Sequence, residues 1–381
     1  MSGLKYKAMN IKELSSKKDF REFVALPFSL YRNQKNWVPP MINDELKMLS
    51  KKTNPAFDFC DAKFWVASQD GKIVGRIGAI VNNLYNAFRN ENMGRFTRFE
   101  CINDQAIASR LFLTAEEWLK DQGMSGAYGP LGFSNLDLQG MLIEGFDHLA
   151  SIASVYHLPY YQSLVEACGY EKEIDWVEFR LTVTEAAQEK AKRGAELVKK
   201  RYGIEVMHFD TTKELTPFAP KLFEILNDSF DVLPFVAPMD EKMIRFYSEK
   251  YMPVLNPRFV KMARMNGEII AFMVGLPSMS AAMQKAGGRI LPFGLFHLLK
   301  AKKGKGGDTM DQMLTGIKKE FHSTGAVVLL QAELQAEMMA HNLKYIETTG
   351  IFETNSRAIS NWKNFEHIQH KRRRCFKKMF V

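Results

Sequence analysis

The sequence predicts an α/β protein built from two similar halves, each a mixed central β-sheet flanked by helices. One observation is a repeated phrase: SQDGKIVGRIGAI (68–80) returns as RMNGEIIAFMVGL (264–276), with Gly71 over Gly267, Ile73 over Ile269 and Val74 over Ile270, and no gap. Each copy is an apolar run, an Asp-Gly or Asn-Gly pair and a second apolar run, which is the signature of a β-hairpin closed by a type I′ turn. A second observation is that segments of helical and strand period alternate in the same order along both halves. The third is length: 381 residues exceed a usual single domain, and the repeat offset lies near half the chain.

Taken in order, LKYKAMNI (4–11) reads as a strand, and SKKDFREFVALPFSLYRN as a helix capped by Ser15 or Ser16 and closing near Asn33. Pro39-Pro40 forces extended chain. After the first hairpin, GRFTRFECI is a strand and NDQAIASRLFLTAEEWLKDQGM a helix capped at Asn103 or Asp104. Its Ile107, Leu111, Ala115, Trp118 and Leu119 share one face. SGAYGPLGF and GMLIEGF are short segments, PYYQSLVEACG a helix ending at Gly169, and DWVEFRLTV a last strand. The charged helix TEAAQEKAKRGAELVKKR then joins the halves. The second half follows with GIEVMHFD, the helices ELTPFAPKLFEILNDSF and MDEKMIRFYSEKY, the hairpin, a basic Gly-rich loop, the strand TMDQMLTGI, the helix AVVLLQAELQAEMMAHNL, the strand KYIETTGIFET and a short helix SRAISNWKNF. The expected division is 1–183, a helical connector 184–202, and 203–381.

Hydrophobic content of 46% with 25% charged residues is that of a globular chain, which sets disorder aside. No window approaches the ~18 uninterrupted apolar residues of a membrane span, and MSGLKYKAMN has no apolar core of a signal peptide, so a cytoplasmic protein is expected. The four cysteines lie far apart, without metal-ligand or redox spacing, so reduced thiols and no metal site are expected. A net charge of +9 gathers in AKRGAELVKKR, KAKKGKGG and HKRRRCFKK. Nucleic acid, an acidic membrane face, a phosphorylated cofactor or a plain solvated surface all fit that sign. The cofactor ranks first because no nucleic-acid motif accompanies the charge. KGKGGDT lacks the GxxxxGK[ST] spacing and a leading apolar strand, which removes a phosphate-loop NTPase.

The element order, with KKEFHSTGAVVLLQAEL and ETNSRAISNWKNFEH in the second half and GRIGAIVNNLYN, GPLGFSN, LIEGFDH and LPYYQSLVEACGY in the first, resembles the GNAT superfamily of N-acetyltransferases, in the tandem form found in bacteria. The resemblance covers nearly the whole chain. It implies acetyl-CoA or another acyl-CoA as co-substrate and a small-molecule or peptide amine as acceptor. It places the pyrophosphate loop at Ile317, His322, Ser323, Thr324, Gly325 and Ala326. Independently of it, a side-chain-poor turn at a helix start offers unpaired amides and partial positive charge to a phosphate, while an ordinary capped helix start is the other reading. The pattern departs from the family at His322, where Gln or Arg is usual, and at Val327, where Gly or Ala is usual. The matching stretch of the first half, INDQAIASRLF, has no glycine and is expected to have lost any cradle.

Acyl transfer needs a neutral amine, a donor to the oxyanion and a proton for the leaving thiolate. The resemblance implies a carboxylate base near the cleft. A period of two along YIETTGIFETN puts Glu347, Thr349, Ile351 and Glu353 on one strand face, ending at Asn355. Glu353 is the preferred base, Glu347 the reserve, and Asn355 an orienting group. Trp362 holds the family's tyrosine position and supplies no acidic proton, and Glu366 replaces a glycine, so a water, His367 or another tyrosine takes that role or the site is silent. In the first half, Asn135, Glu144, Tyr160 and Tyr161 are candidates for substrate recognition, with packing as the competing account of the tyrosines. Two further functions stay open: a catalytically silent binding protein on the same fold, and an aminoacyl-tRNA-dependent transferase whose basic tail meets RNA. Oligomeric state is not fixed by the sequence.

Overall fold

The computed structural model describes residues 9–381. The strand expected over 4–11 therefore lies partly outside the described residues. Two compact units gather the chain: the first holds residues up to Ala150 with Val155–Trp176 and Arg372–Val381, the second Ser151–Ser154 and Val177–Lys371.

In the first unit, β1 (Met9–Glu13) leads through α1 (Lys17–Leu30) and α2 (Ile42–Met48) to the hairpin β2 (Cys60–Gln69) and β3 (Lys72–Asn82). Ser16 caps α1 in a full capping box with Asp19, satisfying two orphan amides at once. Asp70 and Gly71 both have positive φ (50° and 75°), as a type I′ turn requires. Then come α3 (Asn83–Arg89), β4 (Met93–Cys101), α4 (Gln105–Asp121), β5 (Gly126–Gly129), β6 (Met141–Glu144), α5 (Tyr161–Glu166) and β7 (Glu171–Thr182), of which residues 171–176 belong here. Ile107, Leu111, Phe112, Ala115 and Leu119 of α4 are buried in the unit's core, and Trp118 packs at its margin.

The second unit begins with α6 (Glu185–Tyr202) and continues through β8 (Glu205–Met207), α7 (Thr212–Leu215), α8 (Ala219–Phe230) and α9 (Glu241–Tyr251) to the hairpin β9 (Val260–Met265) and β10 (Glu268–Pro277). Its turn, Asn266-Gly267, repeats the positive φ pair at 52° and 83°. Two helices follow, α10 (Ser280–Ala286) and α11 (Gly294–Lys302), where the sequence suggested only a loop. Next are β11 (Thr309–Ile317), α12 (Ala326–Ala340), β12 (Tyr345–Thr348), β13 (Ile351–Phe352), α13 (Ser356–Ser360) and β14 (Glu366–Met379).

The sheets repeat one programme. In the first, β1, β2, β3 and β4 are antiparallel neighbours and β4 pairs β5 in parallel, with α4 as the crossover. In the second, β8, β9, β10 and β11 are antiparallel and β11 pairs β12 in parallel, with α12 as the crossover. The strand that closes each sheet is remote in sequence from its partner. Residues 376–379 of β14 pair with β5, whereas residues 180–182 of β7 pair with β12. The two units divide the chain at other points than the expected 1–183, 184–202 and 203–381: residues 171–176 of β7 fall in the first and 177–182 in the second, and the last ten residues fall in the first. The helix taken for a connector is likewise a packed element. Ala195 of α6 is buried in the second core, and Lys199 pairs with Glu333 of α12 at 3.0 Å.

The basic C-terminus is not a free tail. Within the first unit Arg374 and Arg372 donate to Asp175, at 2.8 and 3.1 Å, and Lys378 to Glu116 at 2.8 Å. Burial opposes ionisation of Asp175, yet these donors hold its carboxyl below its ordinary range. The charge the tRNA reading relied on is thus compensated inside the fold. All four cysteines are free thiols, and among the described residues no helix is long and apolar enough to cross a membrane.

Candidate functional site: a glycine-capped loop and a buried acid cluster in the second unit

Strand β11 joins two features. Its parallel pairing with β12 runs from Thr309 opposite Tyr345 to Gln312 opposite Thr348 and stops, while residues up to Ile317 stay paired with β10. Beyond Gln312, Thr349 bridges the two chains, its hydroxyl donating to the Met313 carbonyl at 3.1 Å.

At the far end of β11 the chain turns through residues 318–325 into α12. Gly325 is the N-cap, with φ at 79°, a conformation that suits glycine. A Cβ there would meet Val198 of α6 at 2.9 Å, so packing also asks for glycine. The Thr324 hydroxyl faces inward, donating to the Phe321 carbonyl (2.7 Å) and accepting from Ala326 N–H (3.3 Å). Ile317 is tied at both backbone groups to Ser229. Among the described residues, the amides of Ser323, Gly325 and Val327 have no intramolecular acceptor, and Ser323 is exposed. Arg357 of α13 brings a cation to His322. Its guanidinium donates to His322 Nδ1 (2.9 Å) and to the His322 carbonyl (3.0 Å). That pairing fits the tautomer whose Nε2–H points to the Ile317 carbonyl, 3.2 Å away. Of the six loop residues read from the sequence, Ser323 and Gly325 present open amides; Ile317, Thr324 and Ala326 hold the turn, and His322 anchors Arg357.

On the opposite face of β11 from Met310, which sits in the core beside α12, lies Asp311. It is buried, and neither of its carboxylate oxygens has a partner in hydrogen-bonding geometry among the described residues. Burial, reinforced by the negative charge of Glu347, pushes its carboxyl up to about 8, against a smaller opposing pull from Lys371 and the Ser278 hydroxyl. Glu347 is its register partner on β12, and Arg180 is in turn the partner of Glu347 on β7. The Arg180 guanidinium donates to Glu347 Oε1 and lies over the Tyr345 ring at 4.2 Å. Lys371 Nζ, almost wholly buried, stands 3.5 Å from Glu347 Oε2 and 3.8 Å from Glu178 Oε2. Ser154 donates to Glu178 at 2.8 Å, and His370 Nε2 is 3.8 Å from Glu347. With Asp311 protonated, the carboxylates Glu178 and Glu347 balance Arg180 and Lys371. Arg180 and Glu347 are the members partly open to solvent.

The sequence put Glu347 and Glu353 on one strand face. The structure separates them, because pairing ends at Thr348, residues 349 and 350 break the ladder, and Glu353 falls in the turn after the two-residue β13. Asn355 caps α13, its Oδ1 accepting from Ala358 N–H at 3.1 Å. Trp362 is buried against Phe365. Asp311, Glu178 and Lys371 were missed: an Asp inside the strand TMDQMLTGI was the available signal, since strand interiors disfavour it.

In the first unit, Tyr161 is a fully buried core residue and Tyr160 donates to the Cys101 carbonyl at 2.9 Å. Packing accounts for both. Glu144 is exposed and paired with Arg372 at 3.3 Å, while Asn135 is half-buried with its side-chain oxygen unpartnered. The start of α4 differs from that of α12: Asp104 accepts from the amides of Ala106 (2.9 Å) and Ile107 (3.3 Å), so a carboxylate stands where a phosphate would go.

The fold is that of solved tandem GNAT proteins, two similar α/β units in one chain. The tandem GNAT protein from the clavulanic acid biosynthesis pathway, solved without acetyl-CoA, matches with a TM-score of 0.57 at 13% identity, over 98% of both chains. In sequence, Protein YghO of Escherichia coli (strain K12) is 29% identical over 373 residues, 97% of this chain and 95% of that one. The bacterial ceramide synthase of Caulobacter vibrioides (strain NA1000 / CB15N) is 28% identical over 369 residues, 94% of each. No family model matches the chain.

Proposed function

We propose that the chain is an N-acyltransferase that moves an acyl group from a coenzyme A thioester to a primary amine, with the chemistry in the second unit. The observation that carries this reading is one strand, β11, which bears a proton-holding carboxyl at Asp311 and ends in a loop of open amides at Gly325. The helix N-terminus of α12, the amides of Ser323, Gly325 and Val327, and Arg357 suit a pyrophosphate. The thioester supplies the acyl carbon. The amine attacks as its neutral form, its ammonium proton released to solvent; protonated Asp311 serves as the acid for the leaving thiolate, and the carboxylate so formed takes the surplus proton from the acylated nitrogen, which restores it. Attack forms the C–N bond and breaks C–S; the proton on Asp311 then passes to the departing thiolate, a task buried Trp362 does not perform. Glu347, fixed by Arg180 and Lys371, tunes Asp311 and faces the amine. Glu353 and Asn355, first choices from sequence, are set behind Glu347 and Asp311. The name of the Caulobacter relative favours an acceptor of the amino-alcohol class, since a ceramide is the amide of a long-chain amino alcohol. Asp104 favours a first unit that binds no nucleotide.

Titrating the full chain with acetyl-CoA and palmitoyl-CoA while following thermal unfolding tests the reading. At ligand a hundredfold above Kd, mass action adds about 2.7 kcal/mol. Gly325→Asp should abolish the shift and Arg357→Ala should weaken binding about tenfold, whereas Asp311→Asn should keep the shift and lose about a hundredfold in turnover. A wild-type melting curve indifferent to every acyl-CoA would leave the silent binding protein as the answer.

A further inference from the structure

The segment between β10 and β11 is joined to the acid cluster at both ends yet carries a surface that the fold does not use. Helices α10 and α11 form its two arms. Their inner side is anchored: Ala282 and Ala301 are buried with Leu276 and Met279, and Leu298 packs against them. The outer side is not. Leu291, Phe293 and Phe296 are 72%, 75% and 69% exposed, and Ile290, Leu295 and Leu299 are exposed beside them. Scattered exposed apolar residues are ordinary, but six within ten positions form a contiguous patch that marks a contact surface.

Chemistry selects the partner. From Ser280 to Gly307 there is no acidic residue, while Lys285, Arg289, Lys300, Lys303 and Lys305 are all exposed. On α11 the spacing places Leu295, Phe296 and Leu299 on one face with Lys300, and Lys303 caps the same end, so the apolar patch and Lys300 look the same way. Two copies of this surface meeting would bring like charges together. An anionic lipid surface accepts both parts, the aromatic and aliphatic side chains entering the acyl boundary and the lysines meeting head groups. At nine residues α11 is far too short to span a bilayer.

We propose that the α10–α11 hairpin seats this protein reversibly on an anionic membrane surface. The hairpin leaves β10 at Pro277 and re-enters β11 at Thr309, two residues before Asp311. Docking would therefore hold the acid cluster next to the bilayer, where a long-chain amine or acyl donor resides. The docking itself does not depend on the acyl-transfer reading.

The test is flotation of the full chain with vesicles of phosphatidylcholine, with and without phosphatidylglycerol. Binding should favour the anionic vesicles by at least about tenfold and weaken with added salt. The L291S/F293S/F296S variant should lose at least about tenfold in partitioning, and K300E/K303E/K305E should lose the preference for phosphatidylglycerol, both with circular dichroism like wild type. Phe293→Trp gives a readout independent of those variants' folding: the indole emission at this position should shift to the blue on adding anionic vesicles. Wild type that ignores both vesicles, an apolar variant that floats as wild type does, or an emission from Phe293→Trp that stays unchanged overturns the proposal. So does a lipid-free dimer that L291S/F293S/F296S converts to monomer, which would assign the patch to a second copy of the chain.

Discussion

Asp311 and Glu347 stand opposite each other across the parallel pair β11 and β12, and only Glu347 is compensated, by Arg180 at one oxygen and Lys371 at 3.5 Å from the other. Asp311, without such partners, is the one whose carboxyl burial pushes up. The folded chain keeps a proton on Asp311 up to about 8, whereas the unfolded chain releases it near 3.8. The stability gained from the neutral group is complete below the lower value and is lost as pH rises through the upper one. Each pH unit in that window removes up to ~1.4 kcal/mol. Asp311→Asn cannot lose a proton, so its unfolding free energy, measured by urea titration, should fall less between pH 6 and 9 than that of wild type. Equal pH dependence in both proteins would show that Asp311 is ionised in the folded state.

Lys371 is set between two carboxylates, Glu347 and Glu178, in a site nearly closed to water. Replacing it with Met keeps the length of the side chain and deletes the charge that both acids face. The cost should be ~3–5 kcal/mol at pH 7, the usual penalty for leaving buried charge uncompensated. Adding Glu178→Gln to Lys371→Met should recover part of the loss, because the two changes share one interaction. Urea midpoints of the single and double variants at pH 7 measure both expectations.

Much of the fold was legible because its signals are local. Asp70-Gly71 and Asn266-Gly267 announce their turns by residue type alone, and Ile107, Leu111 and Leu119 announce a buried helix face by spacing. The exchange of closing strands was not legible. Whether residues 177–182 complete one sheet or the other depends on which edge they reach, and no periodicity records that. The acid cluster was half visible: alternation singled out Glu347, but Lys371 was hidden in a run of basic residues read as surface, and Asp311 passed as the polar position of an ordinary strand. Nor does the run record its own partners: Arg372, Arg374 and Lys378 are matched by Asp175 and Glu116 from distant positions. At α10 and α11, the Gly and Lys content suggested a loop, although tertiary packing of Leu298 and Ala301 holds a helix there.

The two crossover helices begin with opposite electrostatics, and this leads to a last prediction. Asp104 gives its carboxylate to the first-turn amides of α4, which meets their hydrogen-bonding need and the positive end of the helix with a covalently attached anion. The N-cap of α12 is glycine, with no side chain to do the same. Asp104→Ala should therefore destabilise the chain by about 1 kcal/mol, and phosphate or coenzyme A added in excess should restore little of it, because no Gly325-like turn with open amides precedes α4. Gly325→Ser, in contrast, should lose acyl-CoA binding while costing the apo chain about 1–2 kcal/mol from the positive φ. Thermal unfolding of both variants, with and without coenzyme A, distinguishes the roles. A ligand shift that vanished in Asp104→Ala and survived in Gly325→Ser would move the nucleotide to the first unit.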